Sequence, residues 1–250
     1  MDSRLAVVVM AAGKGTRMNN PSVAKVMYTI NERPMVGWVV DLASRLESSR
    51  TVVIVGWQKD SVIAHLAGSH PSVTCVEQNP QLGTGHAVMQ AEQELRGFTG
   101  DVLVLSGDVP MLTEATTRAL IGTHRSSGAV ATVLTAVLDD ATGYGRILRE
   151  EGGRVAGIVE QKDASEEQRA IREINSGIYV FDAQNLFEGL RHVTTDNAQR
   201  EYYLTDVFRH FWRNNLPVSA VIAGDPREVG GINTPVQLEE ARRILAPGRS

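Results

Sequence analysis

An apolar run that ends in a basic, glycine-rich segment is the feature that most constrains the fold of this chain. The run covers residues 5–12, and the segment after it reads Gly13-Lys14-Gly15-Thr16-Arg17. A short valine-rich run of this kind is typical of a buried strand. In an open α/β sheet, ligands bind beyond the carboxyl ends of the strands, which is where the segment would lie. Glycines let backbone N–H groups approach an anion closely, so the segment predicts a phosphate-binding loop.

Two well-known phosphate motifs do not fit this loop. A P-loop requires Gly-Lys-Ser/Thr at its end, but Lys14 is followed by Gly15. The dinucleotide pattern Gly-x-Gly-x-x-Gly would need glycine where Met18 stands. The alternative remains that the glycines only form a turn between a strand and a helix. Arg17 offers a bidentate phosphate donor, and Lys25 offers a compact positive charge.

Charge and cysteine content restrict the partners of the chain. It has 250 residues and a formal net charge of -4, which argues against broad binding to nucleic acid or anionic membranes. Cys75 is its one cysteine, so an internal disulfide is excluded and a reducing cytoplasm fits. No apolar run is long enough to span a bilayer. We therefore expect a cytoplasmic protein with no nucleic-acid or membrane partner.

The order of apolar runs and helical patterns predicts an α/β fold with a Rossmann-like, mainly parallel sheet and helices on both faces. In the first half, strands are predicted at residues 5–12, 51–56, 73–76 and 102–106, and helices at 34–48, 84–95 and 113–127. The second half is predicted to be mixed, with hairpins. Its strands are predicted at 129–137, 146–149, 155–160 and 178–182, and its helices at 161–173, 203–214 and 235–245.

The motifs follow one another in an order that identifies a family. The stretch MAAGKGTRM, with Lys25 downstream, resembles the signature of sugar-nucleotide pyrophosphorylases. Further motifs are EQNPQLGTGHAV (77–88), SGDVPM (106–111), GYGRI (143–147), IVEQKDA (158–164), EINSGIYVF (173–181), NAQREYYLTD (197–206) and GGIN (230–233). The ordered set resembles the N-terminal uridylyltransferase domain of the bifunctional N-acetylglucosamine-1-phosphate uridylyltransferase family, over nearly the whole chain. One departure is Ala24, which stands before Lys25 where that family usually has proline.

The resemblance implies a fold of the nucleotide-diphospho-sugar transferase type and a definite reaction. UMP would pass from UTP to N-acetylglucosamine 1-phosphate, giving pyrophosphate and UDP-N-acetylglucosamine for peptidoglycan synthesis in the cell wall. The attacking phosphate has a second pKa of about 6 and is already an anion, so no general base is required. Two alternatives stay open. One is a related sugar-1-phosphate nucleotidyltransferase with another base or sugar, and the other is a non-catalytic nucleotide-binding sensor.

The matching motifs also assign roles to individual residues. Arg17 and Lys25 would stabilise the phosphates and the departing pyrophosphate, while Asp108 and Asn233 would hold Mg²⁺. The nucleotide would contact Ala11, Ala12, Gly13, Gly15, Gln78 and Gly83, and the sugar would contact Thr84, Gly145, Glu160 and Asn175. Structural alternatives exist: Asp108 would suit a turn, Asn233 a helix N-cap and Gln78 the surface.

The resemblance carries two further expectations. Residues 1–233 would form the nucleotidyltransferase domain, and residues 234–250 a C-terminal helix with a frayed tail. The acetyltransferase half of the family is built from hexapeptide repeats, and no such run occurs in this sequence. We therefore expect the chain to lack acetyltransferase activity and to be a monomer.

Overall fold

Strands and helices alternate along residues 4–18, 20 and 22–246, which are the residues that this computed structural model describes. The strands are β1 (Leu5–Ala11), β2 (Thr29–Ile30), β3 (Arg33–Pro34), β4 (Arg50–Val55), β5 (Thr74–Glu77), β6 (Asp101–Ser106), β7 (Ala131–Val137), β8 (Gly145–Arg149), β9 (Val155–Val159), β10 (Glu173–Asp182) and β11 (Val218–Ile222). The α-helices are α1 (Met35–Arg45), α2 (Lys59–Ser69), α3 (Thr84–Met89), α4 (Glu114–Ser127), α5 (Glu166–Arg169), α6 (Ala183–Leu190), α7 (Asp206–Arg213) and α8 (Pro235–Ile244).

One nine-stranded sheet carries the fold, in the order β11-β7-β10-β6-β1-β4-β5, with β8 paired to β10 and β9 paired to β8. Strands β6, β1, β4 and β5 are parallel to one another. Strand β10 runs antiparallel to β6, β7 and β8, and β8 is antiparallel to β9. The predicted α/β fold, with a parallel first half and a mixed second half, is confirmed.

Side chains of β1 alternate between two apolar cores, one on each face of the sheet. Val7 and Val9 belong to the core beneath α1, α2 and α4, whereas Ala6 and Val8 belong to the core beneath α6 and α7. Burial on both faces explains why the β1 sequence is continuously apolar. A third, smaller core lies where α8 packs near the glycine-rich segment.

Several element bounds differ from those expected from the sequence. The helix expected over residues 84–95 is regular only to Met89. In the charged segment 161–173, which was predicted to be helical, only Glu166–Arg169 forms an α-helix, and Glu173 already belongs to β10. Strand β10 therefore begins earlier than the predicted 178, because it extends through a bulge between Asn175 and Tyr179. The predicted frayed tail falls mainly on residues 247–250, which lie outside the described residues.

Candidate active site

The carboxyl ends of the parallel strands open onto a cavity of about 600 Å³. Parallel pairing brings the residues that follow β1, β5 and β6 to this one edge of the sheet. Eight of the predicted site residues line the cavity: Ala11, Ala12, Gly13, Lys25, Gln78, Gly83, Thr84 and Asp108. Arg17, Gly15 and Asn233 do not line it, but they are placed beside it by the contacts described below.

The glycine-rich segment passes very close to Lys25, and Gly15 makes that approach possible. Gly15 has φ +59°, and a Cβ built on it would lie 2.6 Å from the Lys25 Cβ. Both the left-handed backbone and the short distance therefore require glycine at this position. Met18, at the end of the segment, is buried in the third core, which anchors the loop.

Four charged and polar side chains that are far apart in the sequence form one cluster at the mouth of the cavity. The Lys25 ammonium donates to Asp108 Oδ2 and, at 2.9 Å, to Asn233 Oδ1. Arg17 Nη2 donates to the same Asn233 oxygen at 2.8 Å. The backbone joins the two acceptor residues as well, since Ile232 N donates to the Asp108 carbonyl at 2.9 Å. Lys25 thus contacts both predicted metal ligands, and Arg17 contacts one of them, Asn233.

The cluster has a donor set that suits a hard divalent cation. Asp108 Oδ2 and Asn233 Oδ1 already converge on one positive atom, the Lys25 Nζ. The Asn233 amide is oriented for this, because its Nδ2 donates to the Gly231 carbonyl at 3.0 Å. Among the described residues, no three His, Cys, Asp or Glu side chains are grouped as a metal site. An ion held here would therefore have two protein ligands and complete its shell with water and phosphate oxygens.

Gln78 is buried at the inner wall of the cavity with its amide in a fixed orientation. Its Nε2 donates to the Gly83 carbonyl at 2.9 Å and lies 3.2 Å from His86 Nδ1. Burial lowers the pKa of His86, and its Nε2 lies 3.3 Å from Gln90 Nε2, so each ring nitrogen faces a side-chain amide nitrogen. The bond to the Gly83 carbonyl fixes the Gln78 amide with its nitrogen towards the protein. Its Oε1 accepts from no donor among the described residues and is left for a ligand.

A smaller cavity of about 180 Å³ adjoins the first and shares Met10, Thr84 and Ser106 with it. The predicted sugar-site residues Gly145, Glu160 and Asn175 line it, together with Thr84. They come from three neighbouring strands, and a Cβ on Gly145 would lie 3.3 Å from Glu160 Oε2 and 3.4 Å from Asn175 Cβ. The structure therefore brings all four predicted sugar-site residues together.

Glu160 is the acidic group of the smaller cavity, and its carboxylate is held in place. Thr205 Oγ1 donates to Glu160 Oε1 at 2.9 Å. Burial raises the pKa of Glu160, and the neighbouring Asp163 and Asp206 raise it further, while the bond from Thr205 opposes both effects. A carboxylate in this environment gains stability from any ligand hydroxyl that donates to it.

Three residues at these cavities were not predicted from the sequence. Thr205 positions Glu160, and Ser106 lies where the two cavities meet. Gln81 Nε2 donates to the Ala12 carbonyl at 2.9 Å, which joins the segment after β5 to the end of β1. All three lie in or beside quoted motifs, but only side-chain contacts distinguish them from their neighbours.

A larger depression, of about 960 Å³, lies at the opposite edge of the sheet. Its walls include Phe98 and Thr99, which precede β6, and Ala183, which follows the antiparallel β10. It therefore faces the amino ends of the parallel strands, and none of the predicted site residues lines it. Ligand binding in open α/β sheets occurs at the other edge, so we do not assign the active site to this depression.

A known protein family and several known proteins match most of this chain. The family described as nucleotidyl transferase matches residues 6–236, which is most of the chain and includes every predicted site residue. The chain belongs to the nucleotidyl transferase family. This nucleotidyl transferase also resembles a crystal structure of UDP-glucose pyrophosphorylase complexed with UDP-glucose, with a TM-score of 0.75 and 17% identity over 96% of this chain and 98% of that one. This likeness confirms the predicted nucleotide-diphospho-sugar transferase type of fold.

Curated relatives of this nucleotidyl transferase are much closer in sequence. The bifunctional protein GlmU of Streptomyces avermitilis is 50% identical over 242 residues, and that of Geobacter metallireducens is 47% identical over 240 residues. Each match covers 96% of this chain and 50% of the relative. The chain thus spans about half the length of the curated relatives it matches. Among its described residues, no helix combines the length and the apolar character needed to cross a membrane.

Proposed function

We propose that this nucleotidyl transferase transfers UMP from UTP to N-acetylglucosamine 1-phosphate, releasing pyrophosphate and forming UDP-N-acetylglucosamine. The observation that carries the proposal is the junction of two cavities. One holds the glycine-rich loop, the cation cluster and Gln78, and the other holds Glu160 and Asn175. This chain is about 50% identical to one half of its GlmU relatives. That identity supports the assignment of N-acetylglucosamine 1-phosphate and UTP as substrates.

The fixed Gln78 amide favours uracil over cytosine. Its Oε1 can only accept, and uracil presents a donor at N3, whereas cytosine presents an acceptor there. Turning the amide to suit cytosine would break the bond to the Gly83 carbonyl and set two oxygen acceptors against each other. Leaving such a polar group unpaired costs about 1–3 kcal/mol, which is roughly a five- to 150-fold preference.

The phosphate chemistry requires neutralised charge more than proton transfer. The sugar phosphate is already anionic and attacks the α-phosphorus of UTP in line with the departing pyrophosphate. Arg17 and Lys25 lie at the mouth of the nucleotide cavity and can donate to the phosphate oxygens. Holding both anions in line beside these cations supplies the main catalytic effect.

Asp108 and Asn233 are the residues that would hold Mg²⁺, the ion that suits two oxygen ligands plus phosphates and water. When bound, the ion would neutralise charge that builds up on the phosphate oxygens. In the present structure the Lys25 ammonium contacts these same two oxygens. If Asp108 and Asn233 held such an ion, Lys25 would be free to donate to a phosphate oxygen.

The smaller cavity suits the N-acetylglucosamine ring. Glu160 can accept from ring hydroxyls, and the Asn175 amide offers both a donor and an acceptor. Asn175 Oδ1 accepts from Gly177 N at 3.1 Å, which fixes the orientation of the amide at the cavity wall. Gly145 leaves space between Glu160 and Asn175, since any side chain there would contact both.

The first expected result is a substrate preference in a pyrophosphate-release assay. With Mg²⁺ present, UTP should support turnover at least about five-fold faster than CTP because of the fixed Gln78 acceptor. N-acetylglucosamine 1-phosphate should be preferred over glucosamine 1-phosphate and glucose 1-phosphate. Equal use of CTP would contradict the role of Gln78. Turnover only with another sugar phosphate would favour the related-transferase alternative, and nucleotide binding without turnover would favour the sensor.

We expect Glu160→Gln to raise the KM for the sugar phosphate by about ten- to hundred-fold, because a hydrogen bond to a charged acceptor contributes about 1.5–3 kcal/mol. Equilibrium binding of UTP should be unchanged, since Glu160 lies in the other cavity. The matched control is Glu173→Gln. Glu173 is also a partly buried carboxylate of this sheet, but it pairs with Arg149 and lines neither cavity. A large loss of UTP affinity in Glu160→Gln would reverse the assignment.

Measuring the KM for the sugar phosphate over a range of pH separates the effect of the Glu160 charge from the effect of its shape. Because burial raises its pKa, the carboxylate gains a proton at higher pH than an ordinary glutamate as the pH falls. The sugar phosphate KM of the wild type should therefore rise towards acid more steeply than that of Glu160→Gln. Protonation of the substrate itself affects both enzymes equally, so parallel curves would contradict a charged acceptor.

A further inference from the structure

Lys14, in the middle of the glycine-rich segment, lies over an aromatic ring beside the nucleotide cavity. Its Nζ is 5.4 Å from the centre of the Trp57 ring, a cation–π contact. Lys14 also lines the 600 Å³ cavity, but Trp57 does not. The side chain is therefore at the cavity wall with its ammonium directed to a ring outside the cavity.

Lys14 differs from the other two cations of the site in what it contacts. Lys25 and Arg17 are bonded to the oxygens of Asp108 and Asn233. Within the described part of the chain, Lys14 forms no ion pair with a carboxylate. Of the two lysines that line the cavity, Lys25 would have to leave the Asp108 carboxylate to reach a phosphate, whereas Lys14 would not.

Lys14 is exposed to solvent, while the backbone of Trp57 is held by a hydrogen bond. Lys14 stands between two glycines, and a Cβ added to Gly13 would meet nothing within 4 Å. Trp57 is tied to the end of β1, because its backbone N donates to the Ala12 carbonyl at 3.1 Å. The ring thus stands on a hydrogen-bonded backbone segment beside an exposed lysine.

We propose that Trp57 holds the Lys14 ammonium outside the nucleotide cavity, and that Lys14 moves from the ring to the triphosphate when the nucleotide binds. This inference rests on the proposed function, since it takes UTP as the nucleotide. A charge-assisted bond to phosphate is stronger than an exposed cation–π contact, so the transfer is favourable. Trp57 then lowers the affinity for UTP, because its contact with Lys14 must be broken first.

The test is a calorimetric titration with UTP alone, using the wild type, Lys14→Met, Trp57→Leu and the double variant. Lys14→Met should weaken binding about ten-fold or more, as expected for loss of a charge-assisted bond. Trp57→Leu should tighten binding about two- to five-fold, which is the strength of an exposed cation–π contact. In the double variant the effect of Trp57→Leu should disappear, because it acts only through Lys14.

Lys59→Met is the matched control for general loss of positive charge. Lys59 lies two residues from Trp57, but its ammonium pairs with Glu77. Its removal should change UTP affinity less than about two-fold, as for an exposed surface pair. Weaker binding after Trp57→Leu, or unchanged binding after Lys14→Met, would overturn the inference while leaving the proposed function intact. Failure of the wild type to bind UTP would instead overturn the proposed function, and this inference with it.

Discussion

Asp108→Asn should lower kcat by about 10²–10³-fold, the usual cost of losing one electrostatic stabiliser of a transition state. Asp108 stands at the end of β6 and contacts the Lys25 ammonium. Asparagine keeps the shape of the side chain but removes its charge, so the Mg²⁺ site would have one neutral oxygen in place of a carboxylate. The measurement is steady-state pyrophosphate release at saturating UTP and sugar phosphate, over a range of Mg²⁺ concentrations.

The matched control for this prediction is Asp101→Asn, at the other end of the same strand. Asp101 pairs with Arg125 and is about as buried as Asp108. Asp101→Asn should lower the unfolding temperature by at least as much as Asp108→Asn does. Its kcat should stay close to that of the wild type. If the two variants lost activity in parallel with stability, Asp108 would be a structural residue and not a metal ligand.

The sequence could predict contacts between site residues that follow strands of the parallel sheet, but not contacts made by a residue far away in the chain and outside that pattern. Ala11 and Asp108 both follow strands of one parallel sheet, so their meeting at one edge follows from the alternation of strands and helices. Asn233 follows no strand of that sheet, and its contact with Lys25 joins residues 208 positions apart. Periodicity has no signal for such a contact, and only the family resemblance assigned Asn233 to the metal site.

The fold was predicted best where burial imposes a strong pattern. Strand β1 is buried on both faces and was predicted to within one residue at its end. Helix α2 was not predicted, because only Val62 and Leu66 of its side chains are buried and an amphipathic pattern is therefore weak. Strand β11 was also missed, since none of its residues is fully buried at the edge of the sheet. The orientation of the Gln78 amide likewise depends on Gly83 and His86, which a sequence pattern does not specify.

Gly15→Ala should lower kcat/KM for UTP by about 100-fold, the effect of moving catalytic groups by about 1 Å. The new Cβ would lie 2.6 Å from the Lys25 Cβ, so the loop and Lys25 must separate. Lys25 is bonded to Asp108 and Asn233, and the displacement therefore reaches the whole cation cluster. The measurement is kcat/KM for UTP at saturating sugar phosphate, together with a thermal unfolding curve.

Gly128→Ala is the control that separates backbone strain from the contact with Lys25. Gly128 ends α4 with φ +64°, close to the +59° of Gly15, but a Cβ there would meet nothing within 4 Å. Alanine at either position adds a left-handed strain of about 1–2 kcal/mol. Gly128→Ala should therefore lose stability and keep its kcat/KM. Should Gly15→Ala lose only as much activity as Gly128→Ala, the close approach of the loop to Lys25 would have no part in catalysis. A selective loss in Gly15→Ala would mean that glycine is needed there to bring the loop against Lys25.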